Sequence, residues 1–407
     1  MYDFRFGRIM DLSHPQARIR DINVRFQHTY ILGPPGVGKT SLMLRMALTD
    51  ILCGCSCIFI DPKGEHVKSL YNLIPDKEKI IYFSLNNPSL IINPLRKQGY
   101  RLDDLIDEFL EILDIVTLQT SSNPVLSDNM KELIAKAVKE LREEDRDIEN
   151  LLNFLRYSDF RREYLGRKHS EYWEEVDKKN AGKMSDESAT AKRLAIRLNK
   201  FVEDERFLKI VKGENQLDIE KITDNQNVIL IDTSGMSDDK KTYVVSLFSC
   251  AIKSYMNFQK PSIKKPLMFY FDECFLGINE SFTNLMPLGR SYKIGFTLAH
   301  QEINQFKNQK TLKNLTGNCS TKIAFRQSDS SGAKLMANDF GLKNDDFINL
   351  PDYEAWVRIK NQNSWVKTWP APIPEKKDDI DEVLENTENF ENDFEVCFLN
   401  GDIWFSC

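Results

Sequence analysis

At 407 residues the chain has room for two or three domains, and its 41% hydrophobic and 29% charged residues describe a soluble globular protein, not a fibrous or membrane-embedded one. No apolar run approaches the roughly 20 residues of a bilayer-crossing helix, and the N-terminus lacks a signal-peptide pattern, so a cytoplasmic protein is expected, recruited to any membrane by partners. The net charge of −6 hides an asymmetry: eleven acidic residues from Glu375 onward against Lys376 and Lys377 give that tail −9, leaving +3 for the rest, so a basic groove or pore for nucleic acid is not excluded.

In chain order, residues 1–27 read as a short lead-in carrying Arg18, Arg20 and Arg25. A strand at about 29–32 then runs into Gly33-Pro34-Pro35-Gly36-Val37-Gly38-Lys39-Thr40-Ser41, followed by the helical pattern of Leu42 to Leu48. This is the G-x-x-x-x-G-K-[ST] phosphate loop with the strand before and the helix after that it requires. Its glycines let backbone N–H groups converge on phosphate oxygens at a helix N-terminus. Lys39 is expected on the β and γ phosphates, and the Thr40 hydroxyl on Mg²⁺. A glycine-rich turn that binds nothing is the plain alternative, and the flanking pattern argues against it.

Cys53-Gly54-Cys55-Ser56-Cys57 has the look of a metal box, but it enters the buried strand Cys57 to Ile60 with no second Cys/His cluster nearby. Reduced, buried thiols are the better reading. That strand ends in the turn Asp61-Pro62-Lys63-Gly64-Glu65, and a further run, Ile80 to Phe83, leads to Ile92-Asn93-Pro94-Leu95. From 96 to 222 strand-like runs vanish and spacings such as Leu105, Phe109, Ile112 and Leu133, Ala137, Leu141 take helical period. An inserted, mainly helical domain is predicted, with a polar mobile loop over Lys178–Glu187 and a basic helical stretch over Lys192–Lys212, the latter a solvated face or a nucleic-acid contact.

Strands alternate with helices again from Val228–Asp232, through Leu267–Glu273, Ile294–Gln301 and Thr321–Arg326, to Ala355–Ile359. Nearly continuous apolar strands mean a parallel sheet covered on both faces, an α/β fold. Asp272-Glu273 closes one strand, where an acid can serve a Mg-ATP site and a neighbouring glutamate can activate water. Gln301 closes the next and is placed to sense the γ phosphate. Asp232-Thr233-Ser234-Gly235 resembles a GTPase element, but no N-K-x-D follows it. Asp232 is therefore read as a structural strand end, and ATP is favoured over GTP. Arg290 and then Arg326 are the candidates for an arginine that stabilises the transferring phosphoryl group across a subunit boundary. After Trp369 a proline-rich linker leads into the acidic tail, 371–407.

Gly33–Thr40, Asp61-Pro62-Lys63-Gly64-Glu65, Ile92-Asn93-Pro94-Leu95, Ile231–Gly235, Phe271-Asp272-Glu273 and Leu298-Ala299-His300-Gln301, in this order, resemble the FtsK–HerA superfamily of ring-shaped ATPases. Within it they look most like HerA-like and TraG/TraD-type conjugative or type IV secretion coupling ATPases. The resemblance implies a RecA-like P-loop NTPase core in two segments, 1–95 and 223–370, around an all-α insertion at 96–222. It implies ATP and Mg²⁺ between subunits of a homo-hexamer, and DNA threaded through a central pore, with Lys307, Lys310 and Lys313 either contacts to it or part of a solvated loop. Arg290 stands where FtsK-type motors carry their trans arginine. Neither the β-barrel of HerA proteins nor the transmembrane helices of coupling proteins is expected from the stretches read here. The expected function is an ATP-driven DNA translocase in conjugation, mobile-element transfer or DNA processing, interacting with secretion or conjugation partners at a membrane. The alternatives are a secretion or pilus ATPase moving protein, and a module gated by nucleotide without productive turnover.

Overall fold

The computed structural model describes residues 2–10, 17–120, 126–168, 170–177, 179–180, 183–258 and 265–372. Its centre is a ten-stranded sheet built from β1 (Gly7–Ile9), β2 (Thr29–Leu32), β3 (Ser56–Asp61), β4 (Ile80–Phe83), β5 (Val228–Asp232), β6 (Leu267–Phe271), β7 (Ile294–His300), β8 (Thr321–Phe325), β9 (Glu354–Ile359) and β10 (Gln362–Thr368). The spatial order is β1-β10-β9-β8-β2-β7-β6-β3-β5-β4. From β8 to β4 every pairing is parallel, whereas β9, β10 and β1 add antiparallel strands at one edge. The expected parallel sheet is thus mostly parallel. The hairpin β9–β10 turns on Lys360-Asn361, with Lys360 in the left-handed region (φ 54°), so these strands need no crossover helix.

The strands alternate between two hydrophobic cores. Tyr30, Ile58, Ile60, Phe269, Phe271, Phe296 and Leu298 face one side; Ile31, Phe59, Leu230, Met268, Tyr270 and Ile323 face the other. The second side is covered by α1 (Lys39–Leu52) and α2 (Glu65–Leu73), and by the lead-in through Tyr2, Phe4 and Phe6. The lead-in is therefore structural: β1 extends the sheet, and Arg25 is buried beneath it. Its guanidinium donates to Asp50 at 3.0 Å, Thr29 at 2.7 Å, Tyr270 at 2.8 Å and Thr297 at 2.9 Å. A fully buried cation is tolerated only when paired and hydrogen-bonded in this way.

The first side is covered by α3 (Leu102–Thr120), α4 (Asp128–Glu140), α5 (Ile148–Arg156), α6 (Ser158–Leu165), α7 (Glu171–Asp177), α8 (Asp186–Val202), α9 (Glu205–Val211), α10 (Ile219–Asp224) and α11 (Asp238–Phe258). One continuous core joins these helices to one another and to the sheet, through contacts such as Phe201 on α8 against Tyr243 on α11 and Phe83 on β4 against Phe248 on α11. Within the stretch read as a polar loop, two-residue strands at 179–180 and 183–184 pair and α8 begins at Asp186, capped by Ser185. The outgoing and returning chains of the helical segment are stitched together. Ile92 donates to Ile210 O at 2.7 Å, Gln216 to Ile91 O at 2.8 Å and Asn215 to Arg96 O at 3.0 Å. The buried Asn93 amide donates to Arg146 O and Gly213 O, both at 2.8 Å, which gives the Asn-Pro-Leu motif a physical role. Short helices α12 (Glu280–Leu285), α13 (Gln309–Asn318), α14 (Ser330–Phe340) and α15 (Asp345–Ile348) complete the chain. The acidic tail, from residue 373, lies outside the described residues. Among the described residues no helix is long and apolar enough to cross a membrane.

Candidate functional site

The site forms where the parallel strands end. β2 delivers the chain into the phosphate loop and β6, two strands away, delivers Asp272-Glu273, with β7 between them. Gly36 and Gly38 adopt φ of 82° and 105°, the left-handed region in which successive N–H groups can point to one side, and Gly38 opens α1. Lys39 is buried and its Nζ donates to Pro34 O at 3.0 Å, folded over the loop. The Thr40 hydroxyl donates to Asp272 Oδ2 at 3.0 Å, across 232 residues of sequence. The two groups expected to share a magnesium ion are thus in contact. A hydroxyl and a carboxylate are hard oxygen donors of the kind Mg²⁺ takes, so the residues fit that ion.

Glu273 lies beside them, buried and with a left-handed backbone (φ 57°), a conformation a non-glycine residue holds only when its surroundings impose it. Its carboxylate accepts hydrogen bonds from Gln301 Nε2 and, at 3.3 Å, from Gln305 Nε2. Burial and the neighbouring Asp272 push its pKa above the ordinary carboxylate value; Gln301, Lys39 and Gln305 pull against them. Burial lowers the Lys39 pKa, opposed by Asp272 and Glu273. Gln305 was missed in the sequence. Its signal was the Glu302-x-x-Gln305 spacing of a capping box, which the structure contains: the Gln305 side-chain oxygen accepts from the Glu302 N–H at 3.0 Å and from the Gln301 N–H at 2.9 Å. His300 is fully buried, 2.8 Å from the Tyr30 hydroxyl and 2.9 Å from Glu302 O. Burial lowers its pKa to about 4, so the ring is a neutral strut.

The turn after β3 flanks the site. Asp61 accepts from the N–H groups of Lys63 at 2.9 Å and His66 at 2.8 Å, capping α2. Asp232 accepts from the Tyr82 hydroxyl at 2.9 Å and the Ser234 N–H at 2.8 Å, the strand-end role expected of it. Gly64, at φ 78°, packs so closely that a Cβ there would stand 2.4 Å from Asp232 Oδ1. Cys55 and Cys57 are buried, Cys53 is exposed, and no metal-holding cluster occurs among the described residues.

The remaining candidates are dispersed. Arg290 is exposed, on the turn that precedes β7. Arg326 follows β8, next to the phosphate-loop strand, and pairs with Asp352 at 3.1 Å. Lys307 Nζ donates to Leu118 O at 2.6 Å and Gln119 O at 3.1 Å, and Lys310 pairs with Glu280 at 2.5 Å, so two of the three lysines expected to meet DNA are engaged within the chain. Gln119 in turn donates to Phe275 O at 2.8 Å. The C-terminal end of α3 thereby touches both the loop that follows Glu273 and the loop that follows Gln301.

A family model described as the type IV secretion-system coupling protein DNA-binding domain matches residues 20–346. Among curated proteins no significant match is found. Among solved structures, the plasmid coupling protein TrwB in complex with ADP and Mg²⁺ is 15% identical at a TM-score of 0.66, over 91% of this chain and 91% of that chain. The unbound bacterial conjugative coupling protein TrwBΔN70 is 14% identical at 0.65, over 87% of each chain. VirB4 of Thermoanaerobacter pseudethanolicus is 16% identical at 0.64, over 91% of this chain and 96% of that one. At these identities the likeness is one of fold: a RecA-like P-loop core.

Proposed function

The chain belongs to the type IV secretion-system coupling protein DNA-binding domain family, within the FtsK–HerA superfamily, and on that premise we propose that it is an ATP-hydrolysing motor that moves DNA. One observation carries the reading. The Thr40 hydroxyl and the Asp272 carboxylate meet at the mouth of the phosphate loop, with a second, buried carboxylate, Glu273, held beside them by two amides. A glycine-rich turn without a nucleotide would have no use for two buried acids next to a buried lysine, because each uncompensated buried charge is costly.

In this reading the loop N–H groups and Lys39 hold the triphosphate, and Thr40 with Asp272 would hold Mg²⁺, which when bound offsets phosphate charge. Glu273 takes the proton of the attacking water. Its raised pKa makes it a better base than an ordinary carboxylate, and the Gln301 and Gln305 amides fix its orientation. Gln301 occupies the position from which a change at the γ phosphate reaches β7. Arg290, exposed and outside the cluster, would complete the site of a neighbouring copy, an arrangement that requires a head-to-tail ring. The division into a core of 1–95 and 223–370 and an inserted 96–222 belongs to the same proposal, supported by the stitched stem at Ile91–Arg96 and Ile210–Gln216. Likewise proposed are a hexamer, recruitment by secretion or conjugation partners, and sequence-independent DNA binding dominated by phosphate contacts.

The test is ATPase rate and molecular mass on one preparation, with and without DNA. The expected outcome is hydrolysis stimulated by DNA and reduced by Lys39→Ala or Glu273→Gln to below about 1% of the wild-type rate. A hexamer whose rate no form of DNA changes would point to protein cargo. Hydrolysis no faster in wild type than in Glu273→Gln would point to a nucleotide-gated module.

A further inference from the structure

Tyr353 opens β9 from the turn beside the phosphate loop, and three features set it apart. Its backbone is left-handed, φ 64°, which is a strained conformation for a bulky aromatic residue. That backbone is clamped at both ends: its N–H donates to Val37 O of the phosphate loop at 3.0 Å, and its carbonyl accepts from the Thr368 N–H at 2.8 Å and the Thr368 hydroxyl at 2.9 Å. The side chain nevertheless remains 50% exposed. The ring lies against Gly38, where a Cβ would stand 3.0 Å from Tyr353 Cδ1. Glycine or asparagine would relieve the backbone, and half of the residue's surface stays open to solvent.

We propose that the Tyr353 ring is the platform on which the base of the bound nucleotide stacks. The inference rests on the reading of Gly33–Ser41 as a triphosphate site and extends it to the half of the ligand that the loop cannot hold. Phosphates gripped at Gly38–Ser41 leave the sugar and base to be placed by something beside the loop, and a rigid exposed ring within van der Waals reach of Gly38 is available there. Stacking uses the face of the ring and not a pattern of donors, so the platform recognises a planar base without choosing between adenine and guanine.

The test is calorimetric titration of the full chain, with Mg²⁺, against non-hydrolysable ATP and GTP analogues and against tripolyphosphate, for wild type, Tyr353→Phe and Tyr353→Gly. Tyr353→Phe should bind all three as wild type does. Tyr353→Gly, shown to be folded by its thermal melt, should bind both nucleotides about tenfold more weakly with tripolyphosphate unaffected. Undiminished nucleotide binding by Tyr353→Gly, or an equal loss of tripolyphosphate binding, would overturn the platform while leaving the phosphate site intact. Wild type that binds neither nucleotide nor tripolyphosphate would overturn the phosphate site itself, and the platform with it.

Discussion

Glu273 bears two costs in one residue, a left-handed backbone and a carboxylate kept from water by burial beside Asp272. Its pKa is higher in the folded chain than in the unfolded one, so the native state binds the extra proton. The associated stability is fully present below the unfolded value, near 4.5, and is lost as the pH rises through the raised native value. Glu273→Gln is therefore expected to melt above wild type at neutral pH, with the gap closing on acidification, even as its turnover is lost. Thermal melts across a pH series check both halves. A second prediction concerns Gly64, pressed on the Asp232 carboxylate at a positive φ. Gly64→Ala should destabilise by about 1–3 kcal/mol in denaturant unfolding, from backbone strain and the displaced acid. Residues such as Lys39, Thr40 and Asp272 were readable because their signals are local: a loop of fixed spacing and an acid at the end of an apolar run. Tyr353 and Gln305 were not, because each acquires its meaning from a partner that folding brings to it, Val37 for the first and Glu273 for the second.

Among the elements, the stem at Asn93 links motif to stability. One side-chain amide satisfies two carbonyls from separate parts of the helical segment, so Asn93→Ala would leave Arg146 O and Gly213 O without this donor in a half-buried place. A loss of about 1–3 kcal/mol in denaturant unfolding is expected, with Asn93→Asp no better because an anion cannot donate. The sequence announced the Asn-Pro-Leu motif without its purpose, since Gly213 is 120 residues away. It announced the strands β2 to β9 by their apolar runs, and missed β1 and β10 because Gly-Arg-Ile and the mainly polar Gln362–Thr368 carry no apolar run to detect. The helical segment was legible from its period, but its shared core with the sheet was not, because periodicity shows which face is buried and not what covers it. Lys307 and Lys310 were singled out from a polar loop, and what the sequence did not show is that each also has a partner within the chain, the end of α3 for the first and Glu280 for the second.

For the whole molecule, the ring reading turns on Arg290. Arg290→Ala should lower turnover about a thousandfold while leaving nucleotide affinity little changed, since in the proposed ring the arginine would act on the transition state of a neighbouring site. Mixing Arg290→Ala with Lys39→Ala should restore part of the activity, because each supplies what the other lacks. Two inactive variants that stay inactive together would remove the shared site. DNA affinity of the assembled protein should fall steeply between low and physiological salt, read by filter binding. Finally, α3 ends on the loops behind both Glu273 and Gln301, through Gln119 and Lys307. In the proposed motor, a cargo held by those helices would change the hold on the triphosphate through this contact, and reciprocity would fix the size of the return effect: spent and fresh fuel would change the grip on freight by the same factor that freight changes the grip on fuel.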